Sequence, residues 1–212
     1  NSASGITCDQ SGGKFGPFQG QLFVADQTHS VINRCFLEKI NGYYQGACFP
    51  FKKGFGSGNV PLMQCPDGSF YSGGTDRGWG ARGGKRFALD RLVWTGNTPF
   101  EVHEMRIQSD GFELTFTEPV DPTTAVDPAS YTIGTYTYIF QGRYGSPQVD
   151  ATQPTIKSAK VASDGKSVRL VVDGLQIGHV HELKMAGIKS KTDGNPLLHD
   201  IAYYTLWHLP KN

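Results

Sequence analysis

The residues best equipped for chemistry lie in one glycine-dense stretch, residues 70–94 (FYSGGTDRGWGARGGKRFALDRLVW), which carries Arg77, Trp79, Arg82, Lys85 and Arg86. Six glycines (Gly73, Gly74, Gly78, Gly80, Gly83 and Gly84) release the backbone from the usual steric limits, so the segment can fold tightly against a surface. Within its loop, residues 73–86, four cations stand against one acid, Asp76, a local charge of +3 on a chain whose net charge is +1. Guanidinium groups hold carboxylates in a bidentate fork, lysine adds a point charge, and an indole stacks on a flat ring or a sugar. The stretch therefore reads as a cationic lip for an anionic cofactor or a sugar. A solvated connection between two strands is the bland alternative.

Other candidates are sparser. His29, in the run Asp26-Gln27-Thr28-His29, follows a strand and is the best general-base candidate, because Asp26 aligns with Asp76 in an internal repeat and so places His29 toward the same surface as the Trp79 loop. His179 and His181 share one strand face, but two imidazoles without a third ligand do not define a metal site. Tyr136 and Tyr138 also share a face and could stack on sugar rings, although core packing explains alternating aromatics equally well. No Ser-His-Asp motif, phosphate loop or paired-carboxylate signature is present, which argues against hydrolase and nucleotide roles.

The composition sets the frame for these residues. The chain has 212 residues with 27 glycines, 12% aromatic residues and no long apolar helical pattern, which favours an all-β fold rich in turns. No run approaches the ~20 apolar residues needed to span a bilayer, so a soluble chain is expected. The near-neutral charge argues against a general nucleic-acid surface. Asn1 opens in what reads as a polar turn, so a processed chain or a fragment is expected.

Cys35 and Cys48 flank Asn41-Gly42, the strongest short-range signal for a two-residue type I′ hairpin. Counting outward, Ile40 faces Tyr43, Lys39 faces Tyr44 and Cys35 faces Cys48. The last is a non-hydrogen-bonded pair whose side chains lie close, so a cross-strand disulfide is geometrically allowed. A bulge within residues 44–47 would break that register and leave two small buried thiols. If the bridge forms, the compartment is oxidising: periplasm or outside the cell. Cys8 and Cys65 have no such local partner.

Residues 1–100 repeat loosely. A short strand ending at Cys8 leads to 21–26, 31–40 and 43–51; a second copy runs from 60–65 to 70–76 and 88–94, aligning Cys65 with Cys8 and Asp76 with Asp26. A repeat of roughly 50 residues made of short strands is the pattern of β-propeller blades. Closing a propeller takes at least about four blades, so companions from elsewhere would be needed. After the turn-rich link 95–100 the pattern changes. Residues 101–107 and 112–116 alternate with period two, further strands are expected at 130–140, 155–162, 167–172, 179–185 and 201–206, and turns fall at 109–111, 163–166 and 193–196. That spacing fits an immunoglobulin-like β-sandwich over residues 101–212.

The phrases GKFGPFQGQLFVADQTHSVINRCFLEKINGYYQGACFPF, GTDRGWGARGGKRFALDRLVWTG, EMRIQSDGFELTFTEPVDP and DGLQIGHVHELKMAGI resemble the C-terminal part of large secreted bacterial proteins related to soluble pyrroloquinoline quinone-dependent sugar dehydrogenases. The resemblance implies the last blades of a six-bladed propeller followed by an Ig-like domain, in a protein often fused to a c-type haem domain. It also implies a quinone (PQQ) with calcium in the complete protein, for which Arg77, Trp79, Arg82 and Lys85 are the expected cofactor contacts if the missing blades supply the base and metal. No Cys-x-x-Cys-His haem site is present, and earlier blades with the remaining active-site residues are not in this sequence. The expectation is the C-terminal portion of a secreted or periplasmic sugar or alcohol oxidoreductase that does not turn over alone, its propeller completed by the remainder of a larger polypeptide or a companion chain. The alternative is a non-catalytic carbohydrate-binding or scaffold module.

Overall fold

Period-two alternation governs nearly the whole chain: in a computed structural model describing residues 2–211, the ordered elements are fifteen strands, one short α-helix and one 3-10 turn. All named strand pairs are antiparallel. The fold is thus all-β. The chain divides into two compact units, one holding residues up to Phe36 together with Phe49–Thr98, the other Leu37–Cys48 together with everything from Pro99 onward. The long hairpin of β3 (Val31–Ile40) and β4 (Tyr43–Lys53) contributes its base to the first unit and its tip to the second.

At the tip, Asn41 (φ 50°) and Gly42 (φ 91°) both adopt left-handed conformations, the requirement of the type I′ turn expected there. Burial then alternates in phase on the two strands: Arg34, Phe36 and Glu38 are buried on β3, and Gln45, Ala47 and Phe49 on β4.

In the first unit three strands of each copy correspond, while β4 has no counterpart in the second. β1 (Ala3–Cys8), β2 (Leu22–Asp26) and β3 form one meander, and β5 (Asn59–Gln64), β6 (Phe70–Thr75) and β7 (Phe87–Leu92) form a second, separate three-stranded sheet. Cys8 closes β1 and Cys65 follows β5; Asp26 closes β2 and Asp76 follows β6. The meanders pack through β1 and β5, and Gly5 makes that approach possible, since a Cβ there would stand 2.5 Å from the Val60 carbonyl oxygen. Phe15, Phe18, Phe23, Ala25, Ile32, Phe55, Leu62 and Phe70 form the core, with Phe51 and Leu92 against it. Its rings meet edge to face, as in Phe15–Phe70 (4.4 Å between centroids) and Phe18–Phe51 (5.6 Å). The glycine- and phenylalanine-rich insertion before β2 thus plugs the core with Phe15 and Phe18. Among the described residues no sheet closes into a ring.

The second unit stacks two antiparallel sheets. One has the order β12 (Thr155–Val161), β13 (Ser167–Asp173), β9 (Gly111–Phe116), β8 (Val102–Gln108). The other runs β11 (Gln148–Thr152), β10 (Thr132–Tyr138), β14 (His179–Lys184), β15 (Ile201–Leu206) and the hairpin tip, joined through Tyr203 opposite Cys48. Phe112, Leu114, Phe116, Val168 and Leu170 from the first sheet and Ile133, Leu183, Ala202, Tyr204 and Leu206 from the second are buried at alternate positions. Each such aliphatic or aromatic side chain contributes about 1.5–3 kcal/mol on burial. The Asp-Pro pairs after β9 start α1 (Pro122–Ala125) and the 3-10 turn Pro128–Ser130, with Asp121 and Asp127 as N-caps. The sequence pattern read that stretch only as a turn and did not anticipate β11.

Candidate anion-binding loop

The loop of residues 76–86, between β6 and β7, is held down along its length by the backbone. Its base closes where Asp76 N donates to the Arg86 carbonyl (3.1 Å). Arg82 N donates to the Thr28 carbonyl (3.0 Å) and Lys85 N to the Gly56 carbonyl (3.0 Å). Gly83 N donates to the Ser30 hydroxyl (2.9 Å), and the Ser57 hydroxyl donates to the Lys85 carbonyl (2.6 Å). Gln27 Nε2 donates to the carbonyls of Trp79 (2.7 Å) and Thr75 (3.1 Å). Only glycine fits at position 83, where a Cβ would sit 2.6 Å from the Phe55 carbonyl oxygen. The glycines thus serve close docking.

The charged side chains point the other way. Arg77, Arg82, Lys85 and Arg86 are exposed, and among the described residues none of them makes an ion pair. Between Arg77 and Arg82 the Trp79 ring is 50% exposed, with its Nε1 donating to the Thr28 hydroxyl at 2.9 Å. Exposed cations on a pinned backbone, with a half-exposed, oriented indole in the same loop, can bind a flat anion.

His29 belongs to the same surface. The 27–30 turn that carries it is the one to which Trp79, Arg82 and Gly83 are bonded. Asp26, its carboxylate buried, accepts from His29 N at 2.7 Å and lies 3.4 Å from His29 Nδ1. A carboxylate behind Nδ1 fixes the ring and leaves Nε2 to exchange a proton. The anchors Gln27, Thr28 and Ser30 had no signature of their own in the sequence; only the Asp26/Asp76 alignment pointed toward this turn.

The remaining candidates lie elsewhere. Tyr136 is 8% exposed and Tyr138 52%, their rings 5.6 Å apart at 78°, so the pair is not one flat platform. Burial, then the neighbouring Tyr138 and Glu182, push the Tyr136 phenol well above the usual tyrosine range. Tyr136 instead forms one wall of an open groove of about 490 Å³ with Glu182, Gln148, Gln153 and Thr152, floored by Gly134. His179 and His181 take separate partners: His179 Nε2 lies 3.1 Å from Asp150 Oδ2, and buried His181 accepts from Gln176 N at 3.2 Å. Among the described residues no three His, Cys, Asp or Glu side chains converge as a metal set would. All four cysteines are half-buried.

No family model matches the sequence. No curated protein matches it. Among solved structures the chain is similar to the N-terminal part of the bacterial S-layer protein SbsC, at 24% identity over 51% of this chain and 24% of that one, with a TM-score of 0.38. It is also similar to domains 1–6 of surface layer protein SbsC (24% identity, 54% of this chain, 15% of that one, TM-score 0.39) and to rSbsC(31-844) (25% identity, 52% and 14%, TM-score 0.39). The chain thus spans a quarter or less of each, and superpositions this loose carry no argument about its fold or role.

Proposed function

We propose that the chain is the C-terminal, cofactor-holding portion of a secreted or periplasmic propeller-type sugar or alcohol oxidoreductase, and that it does not turn over alone. The observation that carries this reading is the loop of residues 76–86, with four exposed cations and no ion pair among them, pinned by its backbone around an oriented indole. The donor set fits a planar, carboxylate-bearing quinone such as PQQ: Arg77, Arg82 and Lys85 for the carboxylates and Trp79 against the ring. A bound quinone would supply the oxidant for a sugar or alcohol carbon. His29, backed by Asp26, is the group of this chain that would take the hydroxyl proton. Calcium does not fit the described residues alone, since no acidic cluster accompanies the loop.

The two meanders of the first unit are read as blades of a propeller completed by the remainder of a larger polypeptide or a companion chain. Phe87 and Leu89, largely exposed on the edge strand β7, are residues a neighbouring blade would cover. The second unit is read as an Ig-like sandwich, in keeping with its two stacked antiparallel sheets.

A second reading, a non-catalytic carbohydrate-binding or scaffold module, is favoured by the groove of Tyr136, Glu182, Gln148 and Gln153, whose aromatic wall, carboxylate and amides suit a polyol. One experiment separates the two. Quinone binding by this chain, with dye reduction in a sugar panel appearing only when it is assayed within a longer polypeptide, supports the oxidoreductase. Glycan retention on an affinity gel without quinone binding supports the second reading and overturns the first.

A further inference from the structure

We infer that Cys8 and Cys65 are the two halves of a redox-active cysteine pair, and that a disulfide between them ties the two repeats of the first unit together. The repeat alone makes them equivalent, one at the end of β1 and the other just after β5. The fold then brings these equivalent positions to one place. Both cysteines line the same open groove of about 390 Å³, together with Thr7, Gln10, Lys14 and Gln64.

Three sets of contacts fix the backbones on either side of that groove. Behind the cysteines, Gly5 lets β1 approach β5 so closely that a Cβ would meet Leu62 N at 2.6 Å. Beside them, the residue before Cys65 is bonded to the two residues after Cys8: Gln64 Nε2 donates to Asp9 Oδ1 (2.8 Å), and Gln10 N donates to Gln64 Oε1 (2.9 Å). Ahead of them, Lys14 Nζ donates to the Pro66 carbonyl (2.8 Å). Cross-repeat bonds thus frame the two cysteines: Gln64, just before Cys65, is bonded to Asp9 and Gln10, just after Cys8, and Pro66, just after Cys65, is held by Lys14. A disulfide asks for Cα atoms roughly 4.4–6.8 Å apart, and a half-buried groove leaves both side chains room to turn toward one another.

The chemistry is thiol–disulfide exchange with an oxidised disulfide donor such as glutathione disulfide. One cysteine thiolate attacks a donor sulfur, breaking the donor's S–S bond and releasing one thiol. The second thiolate then attacks the mixed disulfide, forming the Cys8–Cys65 bond and releasing the second thiol. The two protein thiols are oxidised, the donor disulfide is reduced, and the two protons pass to the released thiolates. The bond closes a loop of roughly 57 residues and restricts the unfolded chain accordingly.

The test is a non-reducing peptide map of the folded full chain, equilibrated with glutathione disulfide and then alkylated with iodoacetamide. The result expected is loss of both alkylated peptides, a Cys8 peptide linked to a Cys65 peptide, and recovery of both thiols on adding dithiothreitol. The same linkage is expected in the Cys35→Ser/Cys48→Ser variant, which removes the only other cysteines. Alkylated Cys8 and Cys65 after oxidation, or either one linked to Cys35 or Cys48, would overturn the inference.

Discussion

Trp79 donates its indole N–H to the Thr28 hydroxyl at 2.9 Å, and through that bond the cationic loop is joined to the turn that carries His29. The ring is thereby oriented as well as half-exposed. Replacing Thr28 with valine keeps the backbone carbonyl that holds Arg82 and removes the hydroxyl that accepts from the indole and donates to the Ser2 hydroxyl (3.1 Å). The expected cost is about 1 kcal/mol in chemical denaturation, with a red shift of tryptophan emission as the ring is released to water.

Arg34 lies only 1% exposed, its guanidinium 4.3 Å from the Phe18 centroid and 4.4 Å from that of Phe49 and bonded to Gln21. A planar cation between two rings with an amide at its edge is poorly replaced by a point charge. Arg34→Ala is expected to lower stability by about 3–5 kcal/mol, by cavity formation and loss of the Gln21 partner, and Arg34→Lys to recover little of it. Urea denaturation of both variants checks this.

In the second unit Tyr204 donates to Glu38 Oε1 (2.6 Å) and accepts from Gln45 Nε2 (2.8 Å), while Glu38 Oε1 also accepts from Ile107 N (2.7 Å). Burial, with the Glu38 carboxylate, pushes the Tyr204 phenol far above the usual tyrosine range. Tyr204→Phe is expected to cost roughly 1.5–3 kcal/mol, since a buried carboxylate loses a donor. Because the folded value is raised, the stability this group contributes is complete below about pH 10, the unfolded value. It declines as pH rises beyond that; Tyr131 and Tyr136 are raised by burial as well, so the Tyr204→Phe variant should show one fewer phenolate appearing on alkaline unfolding than the parent chain.

His181 has the opposite sign. Desolvation by burial lowers it to about 4 from an ordinary 6.5. A depressed folded value means that its contribution is complete above about pH 6.5 and is lost as pH falls toward 4, a loss of about 3 kcal/mol. His181→Gln should flatten stability against pH across that window; an unchanged slope would assign the acid sensitivity to other groups.

How far these features could be read beforehand differs by scale. The Asn41-Gly42 hairpin, the strand repeat and the alternating strands after residue 100 were legible because each is a local pattern: a turn dipeptide or a period of two. The assignment of residues 37–48 to the second unit was not, because it depends on Tyr203–Cys48 pairing between strands far apart in sequence. The loop's residue types marked it as a candidate, yet its rigidity rests on Gln27, Thr28, Ser30 and Ser57, polar residues that look like any loop's. Parity puts Tyr136 and Tyr138 on one face, but parity says nothing of the burial that separates them. The Cys35–Cys48 bridge stands as a proposal on the hairpin register, and the peptide map described for Cys8 and Cys65 reads it in the same run.

The central claim is that the loop of residues 76–86 holds a planar, multiply charged anion. Titrating the chain with PQQ while following Trp79 fluorescence tests it most directly, with the Arg82→Ala/Lys85→Ala variant alongside. The backbone bonds at 82 and 85 survive both substitutions. The account predicts saturable quenching in the parent chain, weakened by roughly tenfold or more in the variant and by added salt. Equal titrations of parent and variant would contradict it.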